Sequence, residues 1–288
     1  MSGDRTACFV VTGASGFIGR SVCEELARQG RPVVAVSRQP GAPVSAVVSV
    51  PVRDYRDTPC PVGAVLVHLA ECARIAEVDR EREEESRRVL ESLLAKGFGR
   101  TIYVSSGAVY ARAARPLRPG DPVRADSPYA RAKLANESRV IAAGGVVLRL
   151  GNVYGPGMRP ATLLMEALDQ IGRPGPIAIR DPRAMRDYLW IGDAALGIAA
   201  AAEGAPPGTY NLGTGIGTSA GELARRALAA LGARGRTIAA GAPASAVDDR
   251  IVLDSSASEA AFGWRARVAL DEGLSLMLAR PSKAAHGA

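Results

Sequence analysis

Histidine is nearly missing from this 288-residue chain, which has two, His68 and His286. One interior histidine cannot build a Ser-His-Asp triad or a multi-histidine zinc site. Acid-base chemistry therefore falls to Tyr, Lys, Asp or Glu, and no metal is expected. Lysine is almost as scarce: of 36 Lys and Arg residues only Lys96, Lys133 and Lys283 are lysines. Aromatic residues make up 5% of the chain, so there is no stacking platform and no reader motif for nucleic acid. The four cysteines, Cys8, Cys23, Cys60 and Cys72, form no C-x-x-C pair and read as buried small hydrophobes in a reducing compartment. No apolar run approaches the roughly 20 residues that span a bilayer. No basic region with a hydrophobic stretch precedes the first strand pattern, so no signal peptide is read. A cytoplasmic protein without membrane contact is expected.

What remains has the composition of a folded domain, 47% hydrophobic and 23% charged, with a net charge of +7. The positive balance fits either a solvated basic surface or attraction of an anionic ligand. From residue 6 to about 150, short Val-rich runs alternate with helical patterns. Strands are predicted at Ala7–Thr12, Pro32–Ser37, Ala46–Pro51, Ala64–Leu69, Thr101–Ser105 and Gly145–Leu150, and helices at Gly19–Gln29, Arg74–Lys96 and Tyr129–Ala143. Near-continuous apolar strands alternating with helices predict an α/β fold of the Rossmann type, a doubly wound parallel sheet. The charged run Asp79–Arg88 reads as a solvated helix face. After residue 150, Gly- and Pro-rich turns interrupt the pattern. Helices at Ala194–Glu203 and Ser219–Leu231 and a short strand at Ile251–Leu253 are the ordered pieces expected there, with a disordered tail from Pro281. The expected division is a doubly wound domain over 1–154, rejoined by about 187–204, and a smaller, discontinuous lobe over 155–288.

Three stretches carry chemistry. Val10–Gly19 runs from a strand through glycines 13, 16 and 19 into a helix. Glycine permits close backbone approach, and the helix start offers free N–H groups to a pyrophosphate. The spacing is G-x-x-G-x-x-G rather than G-x-G-x-x-G. Tyr129 and Lys133 stand four apart at a predicted helix start and so share one face. An ammonium beside a phenol favours the phenolate, which suits Tyr129 to exchange a proton with a carbinol or carbonyl oxygen. Ser105-Ser106 ends a predicted strand at the sheet edge where ligands bind, and its hydroxyl could hold a reacting oxygen or cap a turn.

Together these stretches resemble the extended short-chain dehydrogenase/reductase superfamily, specifically the NAD-dependent epimerase/dehydratase family acting on nucleotide sugars. The resemblance runs over about residues 6–278. Besides Thr12–Gly19, it rests on His68-Leu69-Ala70, Tyr103–Tyr110, Tyr129–Lys133, Leu148–Pro156, Arg186-Asp187-Tyr188 through Asp193, and Tyr210–Gly213. The resemblance implies that Gly13, Ser15, Gly16, Phe17 and Ile18 lie on the pyrophosphate, that Asp54 faces the adenine amine, and that Leu69 and Ala70 line the cofactor groove. It makes Ser106 the catalytic hydroxyl, Tyr129 the general acid/base, and Lys133 the residue that holds the ribose and tunes the tyrosine. Asn152 and Arg186 match positions that contact sugar and diphosphate, with Arg250 a weaker candidate. A homodimer is common in the family.

Three departures refine this. Family dehydratases place Asp-Glu directly after the catalytic hydroxyl, whereas this chain has Gly107-Ala108, which argues against 4,6-dehydration. An acidic residue is usual after the second strand of NAD enzymes, whereas Ser37-Arg38 stands here. An arginine there suits a 2′-phosphate, so NADP(H) is favoured over NAD(H). The helix Arg82–Glu91 lacks the family's usual Asn. The function expected is an NAD(P)H-dependent ketoreductase of a nucleotide diphosphate sugar, a 4-keto-6-deoxyhexose. The alternatives are a nucleotide-sugar epimerase with retained NAD, a reductase of a non-sugar carbonyl, and a non-enzymatic dinucleotide-binding protein.

Overall fold

Val-rich, β-branched segments form the centre of the molecule. A computed structural model describes residues 7–39, 44–71, 79–158, 162–171, 173–233, 235–240 and 249–279. The strands, in chain order, are β1 (Phe9–Thr12), β2 (Val33–Ser37), β3 (Val47–Pro51), β4 (Val65–His68), β5 (Arg100–Ser106), β6 (Val146–Leu150), β7 (Asn152–Tyr154), β8 (Ile177–Ile179), β9 (Met185–Trp190), β10 (Gly208–Leu212), β11 (Gly217–Ser219), β12 (Ile238–Ala240) and β13 (Arg250–Ile251). The helices are α1 (Phe17–Arg28), α2 (Arg80–Leu94), α3 (Pro128–Ala142), α4 (Leu163–Asp169), α5 (Ile191–Gly204), α6 (Ala220–Ala230), α7 (Ser256–Phe262) and α8 (Leu270–Leu278).

Seven strands make one parallel sheet in the order β10-β6-β5-β4-β1-β2-β3. Alternate residues feed opposite layers, as the two-residue period of a strand requires. Phe9, Val11, Val65 and Val67 pack on one side with Val22, Cys23 and Leu26 of α1 and with the alanines of α5. Val10 and Leu66 pack on the other with Val89 and Leu93 of α2, and Tyr103 and Val147 with Leu90 and Val140. Strand order reverses at β1, which has β2 on one side and β4 on the other. In such a sheet the crevice at the carboxyl ends of the strands about this switch point receives ligands.

The six strands predicted before residue 150 all form, with ends differing by one or two residues. Residues 74–78 of the predicted second helix, Cys72, and the tail from Pro281 lie outside the described residues. From Arg80 that helix is capped by Asp79, whose side chain accepts from the Arg82 N–H at 2.9 Å. The part after residue 150 holds more structure than the sequence suggests. β9 pairs with β11 and β13 along its first half and with β7 along its second. β8 and β12 form a separate pair. These strands are two to six residues long and carry Asn152, Arg186 and Asp187, too short and too polar for a periodic signal to emerge. The predicted strand Ile251–Leu253 forms as Arg250–Ile251, while Leu253 bridges to Leu117.

Candidate active site

The loop between β1 and α1 is shaped by two glycines. Gly13 has φ +71°, and a Cβ there would lie 2.9 Å from the backbone of Leu69 and Ala70, so the loops following β1 and β4 touch. A Cβ at Gly19 would run into the Gly13 carbonyl. α1 begins at Gly16 with no side-chain cap and no acidic residue in its first turn. Its leading N–H groups and positive dipole end therefore face the crevice without a competing side chain. Ser15 is exposed, and Phe17 and Ile18 are half-buried. This cradle, closed to any Cβ yet rich in N–H donors, fits a dinucleotide pyrophosphate.

At the end of β2, Ser37 is buried and donates to the Gln39 carbonyl at 2.6 Å. Arg38 is exposed, with its guanidinium 5.3 Å from the centre of the Tyr55 ring. Asp54 caps the short turn Tyr55–Asp57 and accepts from the Arg56 backbone and side chain, each at 2.8 Å. Those Arg56 bonds hold its carboxyl below the usual range, with the Arg38 charge adding to the effect. The carboxylate at position 54 is thus already engaged by Arg56.

β5 delivers Ser106 to the carboxyl edge of the sheet. Its Oγ accepts from the Ala108 N–H at 3.1 Å, capping the turn Gly107–Val109, and a hydroxyl that accepts in this way retains an O–H that can donate. α3 packs against that turn and starts at Ser127, whose side chain accepts from the Ala130 N–H, followed by Pro128 in the first turn. This start fixes Tyr129, half-buried, one turn before Lys133. The Lys133 amine lies 5.9 Å from the centre of the Tyr129 ring and donates to the Val104 carbonyl at 2.8 Å. Ser106 at the end of β5 and Tyr129 and Lys133 on α3 therefore stand on two elements that pack together at the carboxyl edge of the sheet.

Sequence reasoning stopped one residue short of an important group. Glu71, directly after Leu69-Ala70, forms a buried ion pair with Lys133 and accepts from Ser86, Tyr103 and Asn136. A carboxylate adjoining Leu69-Ala70, the segment expected to line the cofactor groove, was the available signal. His68 is buried as well; Thr12 Oγ1 meets its Nδ1 at 2.7 Å, and burial pushes the imidazole down to about 4.

Asn152 is exposed on β7. Arg186 of β9 donates to the Asp249 carbonyl at 2.8 Å and to its carboxylate at 2.7 Å. Asp249, also missed from sequence, pairs with Arg112 at 2.6 Å. Burial alone would raise its carboxyl, but the two arginines hold it low. Arg250 stands opposite Met185 and Arg186 opposite Ile251, so the two arginines project to opposite faces of this small sheet. The register thus brings Arg186 together with Asp249 and does not bring it together with Arg250, whose Nε is buried without a hydrogen-bond partner among the described residues.

A sequence profile of the NAD dependent epimerase/dehydratase family matches residues 9–213. The 2-alkyl-3-oxoalkanoate reductase of Stenotrophomonas maltophilia (strain K279a) is 28% identical over 254 residues, which are 78% of this chain and 76% of that protein. A dTDP-6-deoxy-L-talose 4-dehydrogenase (NAD(P)(+)) of Kitasatospora kifunensis is 28% identical over 246 residues, 74% of this chain and 76% of that protein. Among solved structures, MoeE5 in complex with UDP-glucuronic acid and NAD superposes with a TM-score of 0.83 at 26% identity, covering 95% of this chain and 98% of that one.

Proposed function

Since the chain belongs to the NAD dependent epimerase/dehydratase family, we propose that it is an NADPH-dependent ketoreductase of a nucleotide diphosphate sugar carrying a keto group, with a 4-keto-6-deoxyhexose as the sugar. The observation that carries this reading is the placement of Ser106, Tyr129 and Lys133 on two packed elements at the carboxyl edge of the sheet, with Ser106 followed by Gly107-Ala108, which hold no carboxylate for dehydration. The backbone of Gly13–Ile18 would hold the pyrophosphate, Leu69 and Ala70 would line the groove, and the Lys133 amine would reach the ribose. A dinucleotide held there would supply a hydride for the carbonyl carbon. Ser106 donates a hydrogen bond to the carbonyl oxygen, and Tyr129 delivers the proton that completes the alcohol. Arg186 and Asn152 face the diphosphate and the sugar. Arg38 follows β2 where NAD enzymes usually carry an acidic residue, is exposed over the Tyr55 ring, and has its nearby carboxylate Asp54 bonded to Arg56, which supports a 2′-phosphate and therefore NADP(H).

Purified protein given a nucleotide-linked 4-keto-6-deoxyhexose should oxidise NADPH in proportion to the sugar reduced. Tyr129→Phe should lower kcat by roughly 10²–10⁴-fold while NADPH still binds. Full activity in that variant would sink the mechanism. Interconversion of two sugars without net NADPH consumption would establish the epimerase alternative instead. A reductase of a non-sugar oxo acid is the reading that the Stenotrophomonas relative favours; it predicts turnover of a free 3-oxoalkanoate and none of a nucleotide sugar. For the cofactor, Arg38→Glu should turn the NADPH-to-NADH affinity ratio against NADPH by roughly ten- to hundredfold, measured by fluorescence titration. An unchanged ratio would remove Arg38 from the 2′-phosphate.

A further inference from the structure

The Lys133 side chain is 9% exposed and lies among several titratable groups. Facing this cluster are His68 from β4, Tyr103 from β5, and Tyr129 and Glu137 from α3; α2 contributes the uncharged Ser86. His68 is neutral in this burial, and Glu137 is committed to a buried pair with Arg149. That leaves Glu71 as the one carboxylate in contact with the lysine amine among the described residues. An ionised carboxylate has about four lone-pair sites. On Glu71, Oε1 accepts from Ser86, Tyr103 and Asn136, each at 2.8 Å, while Oε2 takes Lys133 and shares the Tyr103 proton at 2.9 Å. Four donors saturate it, so Glu71 has no site left for a ligand.

We propose that Glu71 is a positioning residue: it is the counter-ion that keeps the buried Lys133 amine charged, and with Val104 it fixes two of that amine's three N–H groups so that the third points to the cofactor ribose. The ribose clause rests on the dinucleotide reading above, while the counter-ion clause stands on the geometry alone. Burial by itself would push the Lys133 amine down, but the Glu71 charge overcomes it and holds the amine above the ordinary lysine range. Glu71 in turn is held down to about 2, since its own burial is outweighed by Lys133.

The chain's three lysines make the test direct. NMR of protein carrying isotope-labelled lysine Cε follows each amine through its titration, with the Lys133 signal identified by its loss in Lys133→Met. In the wild type that signal should titrate above free lysine. In Glu71→Gln, with burial acting alone, it should titrate below free lysine. NADPH affinity, read by fluorescence, should be steady into the alkaline range in the wild type. In Glu71→Gln it should fall roughly tenfold or more as pH rises through the lowered lysine titration. A Lys133 signal unmoved by the substitution, or a loss of affinity equal at every pH, would overturn the proposal. Should Glu71→Gln not fold, a wild-type Lys133 titrating below free lysine would overturn it alone. Absence of both NADPH and NADH binding in both proteins would refute the dinucleotide reading and leave the lysine titration to judge the counter-ion.

Discussion

His68 shows how a residue that stands out in sequence can be absorbed by the fold. It is the one interior histidine of the chain, yet it points into the β4 layer, bonded to Thr12 and lying 6.1 Å from the Tyr103 ring. Its imidazole stays neutral because burial lowers its titration from 6.5 to about 4. An unfolded chain takes up that proton at a higher pH than the folded one. The stability contributed by neutral His68 is therefore complete above about pH 6.5 and is lost as pH falls towards 4, amounting to about 3 kcal/mol. Denaturant unfolding of the wild type and of His68→Leu should show a stability gap that narrows over this interval. A gap independent of pH would mean that the imidazole is charged in the native state. Arg186 was legible in sequence as an anion-binding candidate, but its partner Asp249 was not. The pairing depends on two strands more than 60 residues apart in the chain, joined only by tertiary structure.

At the level of elements, α3 is held from beneath as well as capped at its start. Glu137 and Arg149 form a buried pair between α3 and β6, with Nη2 to Oε2 at 2.6 Å, and Ser105 donates to the same carboxylate. The Arg149 guanidinium also lies 4.7 Å from the centre of the Tyr110 ring, whose hydroxyl donates to Asn211 at 2.6 Å. Removing one member leaves an uncompensated buried charge, so Glu137→Leu or Arg149→Met alone should cost about 3–5 kcal/mol. The pair Glu137→Leu with Arg149→Met should cost less than the sum, as a double-mutant cycle by chemical denaturation would show. Additive losses would mean that the two groups do not depend on each other. The strands of the first half and helices α1 and α3 were legible because apolar periods, glycines and caps agree there. β7, β9 and β11 were not, because a strand of a few residues bearing Arg186 or Asp187 has no period to read. Asp187 shows why such a residue is tolerated: its carboxylate accepts from the N–H groups of Thr214, Gly215 and Leu253, binding three segments that no local pattern connects.

Across the whole molecule, the site depends on contacts between the two parts of the chain. Arg112 follows the Ser106 turn in sequence, and its pairing with Asp249 links that segment to the strand edge that bears Arg186. Asp249→Asn should free Arg186 and raise KM for the nucleotide sugar by roughly three- to tenfold while NADPH affinity stays unchanged. An equal loss of both would show a general loosening of the fold instead. The family and the doubly wound sheet were readable from the motifs, whereas β10 was not, since a strand of five residues directly after the Pro206-Pro207 turn is too short for a periodic signal. That seventh strand has a consequence for synthesis. A nascent chain that has delivered β6 still lacks the neighbour for its outer edge, and β10 does not exist until Leu212 has left the ribosome. In the interval β6 presents unpaired backbone groups to any other strand nearby. Growing chains halted between Leu150 and Leu212 should therefore be the ones that chaperones hold and that aggregate when released.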